Sequence, residues 1–183
     1  PDMALRLKSD EMHATVKRVL REEQFDVVQI EGIEMARYAQ NPKSQFLNSK
    51  FVFDEHNAEY VLQRTAFESD VRNPKRWLAA LYSLIQWKKL ERYERIICQR
   101  AQHIVTCSDA DANAIRFLLQ SSVVRRPSSV SVIPNGVDTN YNVPSDAVCA
   151  KPLAELSMAF VGKMDFRPNI DAMMWFTADI LPR

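Results

Sequence analysis

The sequence predicts an α/β fold in which a parallel β-sheet is flanked by helices. Short runs rich in β-branched and aromatic residues alternate with longer segments of helical periodicity along most of the 183 residues. Polar and turn-forming residues follow each short run directly, as expected where a parallel strand ends and the chain crosses to a helix. These observations together favour a parallel sheet over an all-helical or antiparallel fold.

The composition is that of an ordinary globular protein. Hydrophobic residues make up 46% of the chain and charged residues 26%, which is enough for a buried core. The net charge of +1 gives no general basis for nucleic-acid binding, so we expect no nucleic-acid partner. No apolar run approaches the roughly 18 residues of a membrane span. Cys98, Cys107 and Cys149 are widely spaced, so we expect reduced, mostly buried thiols in a cytoplasmic protein.

The first predicted elements are a helix, a strand and a short helix. Ser9 is a suitable N-cap for the first helix, because acids occupy the first turn and apolar residues recur at helical spacing after it. That apolar stripe consists of Met12, Val16, Val19 and Leu20. Residues 25–30 form a brief β-branched run that favours a central parallel strand, ending at Glu31 and Gly32. Residues 33–38 are interpreted as a short helix.

Strands and helices continue to alternate through the middle of the chain. Further strands are predicted over residues 51–53, 103–107 and 130–133. Further helices are predicted from residue 58 to about 68, from about 75 to 100, and from Ser108 onward. Ser108 with Asp111 three residues later is a capping-box-like helix start.

Three regions are predicted along the chain. Residues 1–138 form the first domain, and residues 139–155 form a linker because they are polar, aperiodic and proline-containing. Residues 156–183 begin a second domain, with a strand over 157–161 that ends at Gly162 and a helix that starts at Pro168.

The densest cluster of ionisable side chains follows the strand at residues 51–53. Three acids and a histidine lie around one predicted strand-to-helix turn, namely Asp54, Glu55, His56 and Glu59, and Asn57 lies between them. Ligands of open parallel sheets bind at the carboxyl ends of strands, where His56 could be a hydrogen-bond donor, a general base or a metal ligand. The metal is disfavoured because no second histidine or cysteine is nearby. The structural alternative is that Asn57 caps the helix and His56 packs over the turn.

Other predicted strands also end in polar residues. Gly162 would let a phosphate approach the backbone, and Lys163 would supply positive charge. Asn135 and Gly136 follow the strand at 130–133 and predict a turn with positive φ available at the glycine, for which an ordinary structural turn is the favoured interpretation. Each of these patterns is unspecific when taken alone.

The helix at residues 75–100 is basic and carries two tryptophans. Such a helix could lie on an anionic membrane surface, although Glu91 and Glu94 dilute its positive charge. The favoured alternative is a long packed helix with a solvated face. Its apolar residues on one side are Leu78, Leu81, Ile85 and Ile96, and Trp87 points away from them.

Taken together, these segments resemble the family 4 retaining glycosyltransferases, especially bacterial enzymes that build surface polysaccharides. The most specific segment is 133–138, which is similar to the family's iPNGVD motif. Residues 54–60 resemble its D-x-H-N-x-E segment. The remaining similar segments are 25–28, 106–111 and 160–172.

The resemblance implies a GT-B fold, in which two Rossmann-like domains face a cleft. The N-terminal domain would hold the acceptor and the C-terminal domain the nucleotide sugar, with no metal and no cofactor. It implies that His56 is the active-site histidine. The implied acceptor-side residues are Glu31, Glu55, Asn57, Glu59 and Ser108. The implied donor-binding residues are Asn135, Gly136, Gly162 and Lys163.

The resemblance also implies that the fold is incomplete at both ends. The family's first strand with its glycine-rich loop, and its paired-glutamate donor motif, would lie outside the 183 residues. We therefore expect these residues to be inactive alone.

The expected activity is transfer of a hexose-type sugar from a UDP- or GDP-linked donor to a glycan or lipid-linked acceptor, with retention of configuration. A further hypothesis is peripheral contact with the inner face of the membrane through the 75–100 helix. Two alternatives stay open. One is a non-catalytic Rossmann-like binding module, and the other is a membrane-associated interaction module that uses the basic helix.

Overall fold

The computed structural model describes residues 1–39, 49–120, 129–143, 158–165 and 167–182. It confirms the predicted α/β class, because four parallel strands form one sheet in the order β1-β2-β3-β4 and helices flank it. The strands are β1 (Val27–Glu31), β2 (Lys50–Glu55), β3 (His103–Thr106) and β4 (Ser129–Val132). The α-helices are α1 (Asp10–Glu22), α2 (Glu59–Val71), α3 (Trp77–Arg100), α4 (Asp109–Gln120) and α5 (Arg167–Trp175). Short 3-10 helices cover Met3–Leu5, Met35–Ala39 and Pro74–Arg76.

The chain divides into two compact units, Pro1–Gly136 and Val137–Arg183. The first unit contains the whole sheet and α1–α4, and the second contains α5. The predicted domain limits remain predictions. Linker residues 144–155, which include Cys149, lie outside the described residues, and so does Ser157.

One face of the sheet is buried and the other is half-exposed. Side chains alternate along β2, so that Phe51, Phe53 and Glu55 are buried while Val52 and Asp54 between them are partly exposed. The buried face packs with α3 and α4 into a single apolar core. Core residues contributed by these two helices include Leu90, Ile97, Cys98, Ile115 and Leu118. This packing fixes the carboxyl ends of the strands relative to α3.

In the described sheet the first strand does not have the predicted central position. Among the described strands β1 lies at an edge of the sheet, paired only with β2 through the register Ile30↔Phe53. Consistent with an edge position, Val27 is 50% exposed. A β-branched run fits any half-buried pleated surface, so its composition does not determine its place in the sheet order.

The first helix begins as predicted. The Oγ of Ser9 accepts a hydrogen bond from the backbone N–H of Met12 at 3.1 Å, which is an N-cap interaction. The apolar stripe of α1 faces β1, and the two elements line an open apolar groove of about 340 Å³. No residue of α1 is fully buried there.

A buried carboxylate stabilises the connection between α2 and α3. Asp70 is buried, and its carboxylate accepts a hydrogen bond from the Ser83 hydroxyl at 3.1 Å and pairs with the Arg76 guanidinium at 2.9 Å. The Oδ1 of Asn73 accepts from the backbone N–H of Lys75 at 3.1 Å and caps the 3-10 turn that follows. Side-chain hydrogen bonds therefore hold both ends of the connection.

The side of α3 that packs against the core is not the side that carries its most apolar stripe. Leu78, Leu81 and Ile85 are exposed. The buried stripe instead consists of Ala80, Ser83, Gln86, Leu90, Glu94, Ile97 and Cys98. Glu94 is therefore a core residue, and the prediction that it dilutes the surface charge is wrong. Trp87 is partly buried and stacks on Phe67 of α2, with ring centroids 5.8 Å apart.

Of the strand and the helix predicted in the second unit, the structure contains the helix. Helix α5 forms where Pro168 and Asn169 predict a helix start, and a π-helical turn (Phe176–Ile180) extends it. The strand predicted at 157–161 is wrong in its described part, because residues 158–161 have no regular secondary structure. No strand pairs with them among the described residues of this unit, and an unpaired strand leaves its backbone groups without a ladder.

Candidate functional site

The carboxyl ends of β1 and β2 lie side by side, because Glu31 and Asp54 are partners in the parallel register. The residues that follow the two strands line a cavity of about 290 Å³. Its lining consists of Glu31, Gly32, Ile33, Glu34, Glu55, His56, Asn57 and Glu59. The structure thus brings together His56 and four of the predicted acceptor-side residues. Glu34 and Ile33 were not predicted, although both directly follow the same strand end.

A glycine is required where the chain leaves β1. Gly32 has a φ of 79°, a conformation that residues with a Cβ rarely adopt. Its backbone N–H donates to the carbonyl of Asp54 at 2.9 Å, which ties the end of β1 to β2. A Cβ at this position would lie 3.3 Å from the Oε2 of Glu34. Gly32 therefore determines how Glu31 and Glu34 are presented to the cavity.

His56 faces the cavity with half of its side chain accessible. The side chain is 49% exposed, and Nε2 lies 3.4 Å from the Oε1 of Glu31. The backbone carbonyl of His56 accepts a hydrogen bond from the Cys107 thiol at 2.6 Å. The end of β3 thus holds the backbone of His56, while its imidazole stays available to a ligand. The functional role of His56 stays a prediction.

Asn57 does not cap the helix that follows it. The N-cap residue of α2 is Ala58, which has no side-chain cap. Two acids from other helices bind the backbone instead: the Oδ1 of Asp111 accepts from the N–H of Ala58 at 2.9 Å, and the Oε2 of Glu94 accepts from the N–H of Tyr60 at 2.8 Å. Acids at a helix N-terminus also interact favourably with its dipole. Asn57 consequently lines the cavity and hydrogen-bonds to Glu59.

Two carboxyl groups are buried together at the base of this site. Glu55 and Glu94 are both almost completely buried, and the Cys98 thiol donates to the Oε2 of Glu55 at 3.6 Å. Burial is the largest cause that raises the pKa of Glu55 well above its usual range, followed by the Glu94 charge. Burial likewise raises the pKa of Glu94 to about 8. The pair therefore holds a proton at neutral pH, because two adjacent buried carboxylates cannot both ionise.

Glu59 and Cys98 also have shifted pKa values. Burial is the main cause that raises the pKa of Glu59, with further contributions from the Glu34 and Asp111 carboxylates. Burial, and then Glu55 and Glu94, raise the pKa of the Cys98 thiol well above its usual range. The thiol is thus protonated and serves as a hydrogen-bond donor to Glu55, not as a nucleophile.

Ser108 begins α4 and does not line the cavity. Its Oγ accepts from the backbone N–H of Asp111 at 3.1 Å, and its hydroxyl donates to the Asp111 carboxylate. The predicted capping-box-like start is confirmed. The acid of this capping box, Asp111, also accepts a hydrogen bond from the backbone N–H of Ala58. Ser108 supports the site through Asp111.

The comparisons with known proteins agree with this geometry. A family model described as Glycosyltransferase Family 4 matches residues 3–141, which include all four strands and every residue of the cavity. The chain belongs to glycosyltransferase family 4. Neither a search of curated proteins nor a search of solved structures found a match. Glycosyltransferases act on a sugar donor and an acceptor. The cavity of this glycosyltransferase domain is therefore a candidate binding site for one of these two substrates.

The residues predicted to bind the donor lie at the end of the first unit and in the second. Asn135 and Gly136 are exposed and form no regular turn, and Gly136 does not have the predicted positive φ. In the second unit the Nζ of Lys163 lies 3.2 Å from the Oδ2 of Asp165. Gly162 packs closely, because a Cβ there would lie 2.8 Å from the Phe160 ring.

The described part of this glycosyltransferase contains no group of three or more histidine, cysteine, aspartate or glutamate residues arranged to hold a metal ion. In that same part of the chain, no helix is both long and apolar enough to cross a membrane.

Proposed function

We propose that this family 4 glycosyltransferase moves a sugar from a nucleotide-sugar donor to a glycan or lipid-linked acceptor with retention of configuration, and that the cavity around His56 receives the acceptor. The observation that carries the proposal is a half-exposed histidine in an acidic cavity at the carboxyl ends of two neighbouring parallel strands. This edge is where open parallel sheets bind their ligands.

The charge of the cavity favours an acceptor over a donor diphosphate. Four of its eight lining residues are glutamates, and the three that are not buried, Glu31, Glu34 and Glu59, can accept hydrogen bonds from sugar hydroxyl groups. The same carboxylates repel a diphosphate, which requires cations or backbone N–H groups. For the diphosphate we propose Lys163 and Gly162 of the second unit, as implied by the family resemblance.

His56 would position the acceptor hydroxyl and stabilise charge in an oxocarbenium-like transition state. The Nε2 of His56 lies 3.4 Å from the Oε1 of Glu31, and both side chains line the cavity. An N–H directed into the cavity donates to an acceptor oxygen, and the Cys107 thiol holds the backbone that carries the ring. Glu59 and Asn57 would then accept from, or donate to, neighbouring hydroxyl groups. In this role His56 is not a nucleophile.

We also propose that the enzyme uses a UDP- or GDP-linked hexose, needs no metal and functions in polysaccharide biosynthesis in the cytoplasm. The free thiols of Cys98 and Cys107 support a reducing compartment. The acidic cavity supports a polyhydroxylated acceptor.

The experiment is donor turnover by the intact parent protein that contains these residues. A panel of UDP- and GDP-sugars is incubated with membrane lipid extract, and the released nucleotide is measured for wild type, His56→Ala and the control His13→Ala. His13 is exposed on α1 and does not line the cavity. We expect release that depends on one donor, is retained in His13→Ala and falls by about 10- to 100-fold in His56→Ala, as for the loss of a charge-assisted hydrogen bond.

The non-catalytic alternative gives a different result in this assay. If the folded protein released no nucleotide with any donor, yet bound oligosaccharides in a manner sensitive to His56→Ala, the chain would be a sugar-binding module.

A further inference from the structure

The outer face of α3 exposes large apolar side chains on consecutive turns. We define the α3 outer face as Trp77, Leu78, Leu81, Tyr82, Ile85, Lys88, Lys89 and Arg92. Leu78 is 87% exposed and Trp77 is 72% exposed. Leu81, Tyr82 and Ile85 are 56%, 54% and 45% exposed. Single exposed apolar residues are common on proteins, whereas five neighbours on one helical face form a contiguous patch that indicates an interaction site.

Basic side chains continue the same face toward the carboxyl end of the helix. Lys88, Lys89 and Arg92 follow the apolar residues at helical spacing and are exposed. The Nζ of Lys88 lies 3.9 Å from the centroid of the Trp87 ring and 3.0 Å from a Glu91 oxygen. Glu91 pairs with both Lys88 and Arg95, and its side chain is only 24% exposed. The face therefore combines apolar area with positive charge.

A second acid, Asp2, also lies beside the face. The Asp2 carboxylate accepts a hydrogen bond from the Tyr82 hydroxyl at 2.5 Å, and this bond is the largest cause that lowers the pKa of Asp2. Lys89 is close enough to lower that pKa further. Glu91 pairs with Lys88 and Asp2 lies near Lys89, so the three cations of the face exceed these two acids and its charge stays positive.

We propose that the α3 outer face docks on an anionic phospholipid surface. A helix with exposed Trp and Leu on one part of its face and Lys and Arg on the remainder is the pattern of helices that lie in the membrane interface. Trp77 and Tyr82 have the amphipathic rings that are enriched at the headgroup level. The cations are complementary to anionic headgroups, each strengthening binding by about fivefold.

A second copy of the chain is less compatible with this face. If two copies paired the face in parallel, their basic residues would oppose each other. If they paired it antiparallel, the basic residues of each copy would cover the apolar residues of the other. Neither arrangement satisfies both halves of the face, whereas a lipid surface offers anionic headgroups and apolar chains together.

Docking through α3 would involve the same helix that supports the candidate site. Glu94 lies two residues beyond Arg92 but on the opposite, buried side, where it binds the N–H of Tyr60. The membrane-facing and site-facing sides of α3 are thus distinct, so substitutions on the outer face leave the cavity unchanged.

The test is co-sedimentation of the full chain with phosphatidylcholine vesicles that contain or lack phosphatidylglycerol. We expect binding at low salt only when phosphatidylglycerol is present, and weaker binding as salt rises. The double substitution Leu78→Gln with Ile85→Gln should weaken binding by about tenfold or more, since it removes two exposed aliphatic side chains that docking would bury in the lipid. Lys89→Gln with Arg92→Gln should weaken it by roughly 25-fold.

Matched controls use exposed residues of other helices. Lys17→Gln with Arg21→Gln on α1 removes the same charge, and Phe117→Gln on α4 removes an apolar side chain that is 71% exposed. Both controls should bind as wild type does. Equal loss in the controls, or no binding to phosphatidylglycerol vesicles at low salt, overturns the proposal. A dimer that Leu78→Gln with Ile85→Gln dissociates, without any vesicle binding, also overturns it and identifies a protein partner.

Discussion

The buried carboxylate of Glu94 on α3 accepts a hydrogen bond from the backbone N–H of Tyr60 at 2.8 Å, and so caps the first turn of α2. The sequence assigns that cap to Asn57, which instead lines the cavity beside His56. An acid 34 residues away in the sequence thus fixes the helix start that follows the candidate catalytic histidine.

Removing this cap should destabilise the protein. Glu94→Ala leaves the N–H of Tyr60 without its acceptor in the core, which costs about 1–3 kcal/mol in the free energy of unfolding. Glu94→Gln keeps a carbonyl oxygen at the same position and should cost less. Urea unfolding of the three proteins at acidic pH measures both values. Equal stability of the alanine and glutamine variants would show that the hydrogen bond does not contribute.

The buried acid pair should also make stability depend on pH. The pKa of Glu94 rises from its ordinary 4.5 to about 8 in the folded protein because of burial. Between these values the unfolded chain has lost a proton that the folded protein keeps, so this group's contribution falls as pH rises through that window. Glu94→Gln cannot ionise, and its stability relative to wild type should improve by at least about 1 kcal/mol from pH 5 to pH 8.

Glu55 has a raised pKa too, so the substitution should reduce the pH dependence without removing all of it. The exposed Glu22→Gln serves as the control and should follow wild type at each pH. Stability curves of Glu94→Gln and wild type that stay parallel across this range would contradict a shared buried proton.

The fold was predictable because its main signals are local. Each described strand forms at the predicted run with small shifts at its ends, and Ser9 and Ser108 begin helices as expected. The order of strands in a sheet is not local information, so the edge position of β1 in the described sheet was not predicted. The position of His56 was predictable for the same local reason, since ligands gather at strand ends.

The packing of α3 was not predictable from its most apolar stripe. Leu78, Leu81 and Ile85 have the spacing of a core face, yet they are exposed. The buried side contains Ser83, Gln86 and Glu94, whose polar groups bond to Asp70, Asp2 and Tyr60 respectively. A signal was present, because Leu90, Glu94, Ile97 and Cys98 also share one helical face. An acid such as Glu94 is buried only where it has a partner, and the partner is visible only in the tertiary structure.

Gly32 should be sensitive to substitution. Its φ of 79° is costly for any residue with a Cβ, and Gly32→Ala should lower the free energy of unfolding by about 1–2 kcal/mol. Gly136→Ala is the matched control, because its φ is not positive and a Cβ there has nothing within 4 Å. Chemical denaturation should show a loss only at Gly32. A Gly32→Ala variant as stable as wild type would mean that this turn relaxes without strain.

Asp111 should contribute more to stability than its helical neighbour Asp109. Asp111→Ala removes the acceptor of the Ala58 N–H and the partner of Ser108, and should cost about 1–3 kcal/mol. Asp109→Ala alters an exposed acid in the same first turn and should cost less than about 1 kcal/mol. Thermal unfolding of both variants compares the two costs. Equal shifts would show that the contact between α4 and α2 is not stabilising.

The central claim is that the acidic cavity around His56 binds the acceptor and not the donor. The most direct measurement is steady-state kinetics of His56→Asn and Glu59→Gln with each substrate varied in turn, using the donor identified by turnover. We predict that the acceptor KM rises by about tenfold or more while the donor KM stays near the wild-type value. A raised donor KM with an unchanged acceptor KM would contradict the account and place the nucleotide sugar in this cavity.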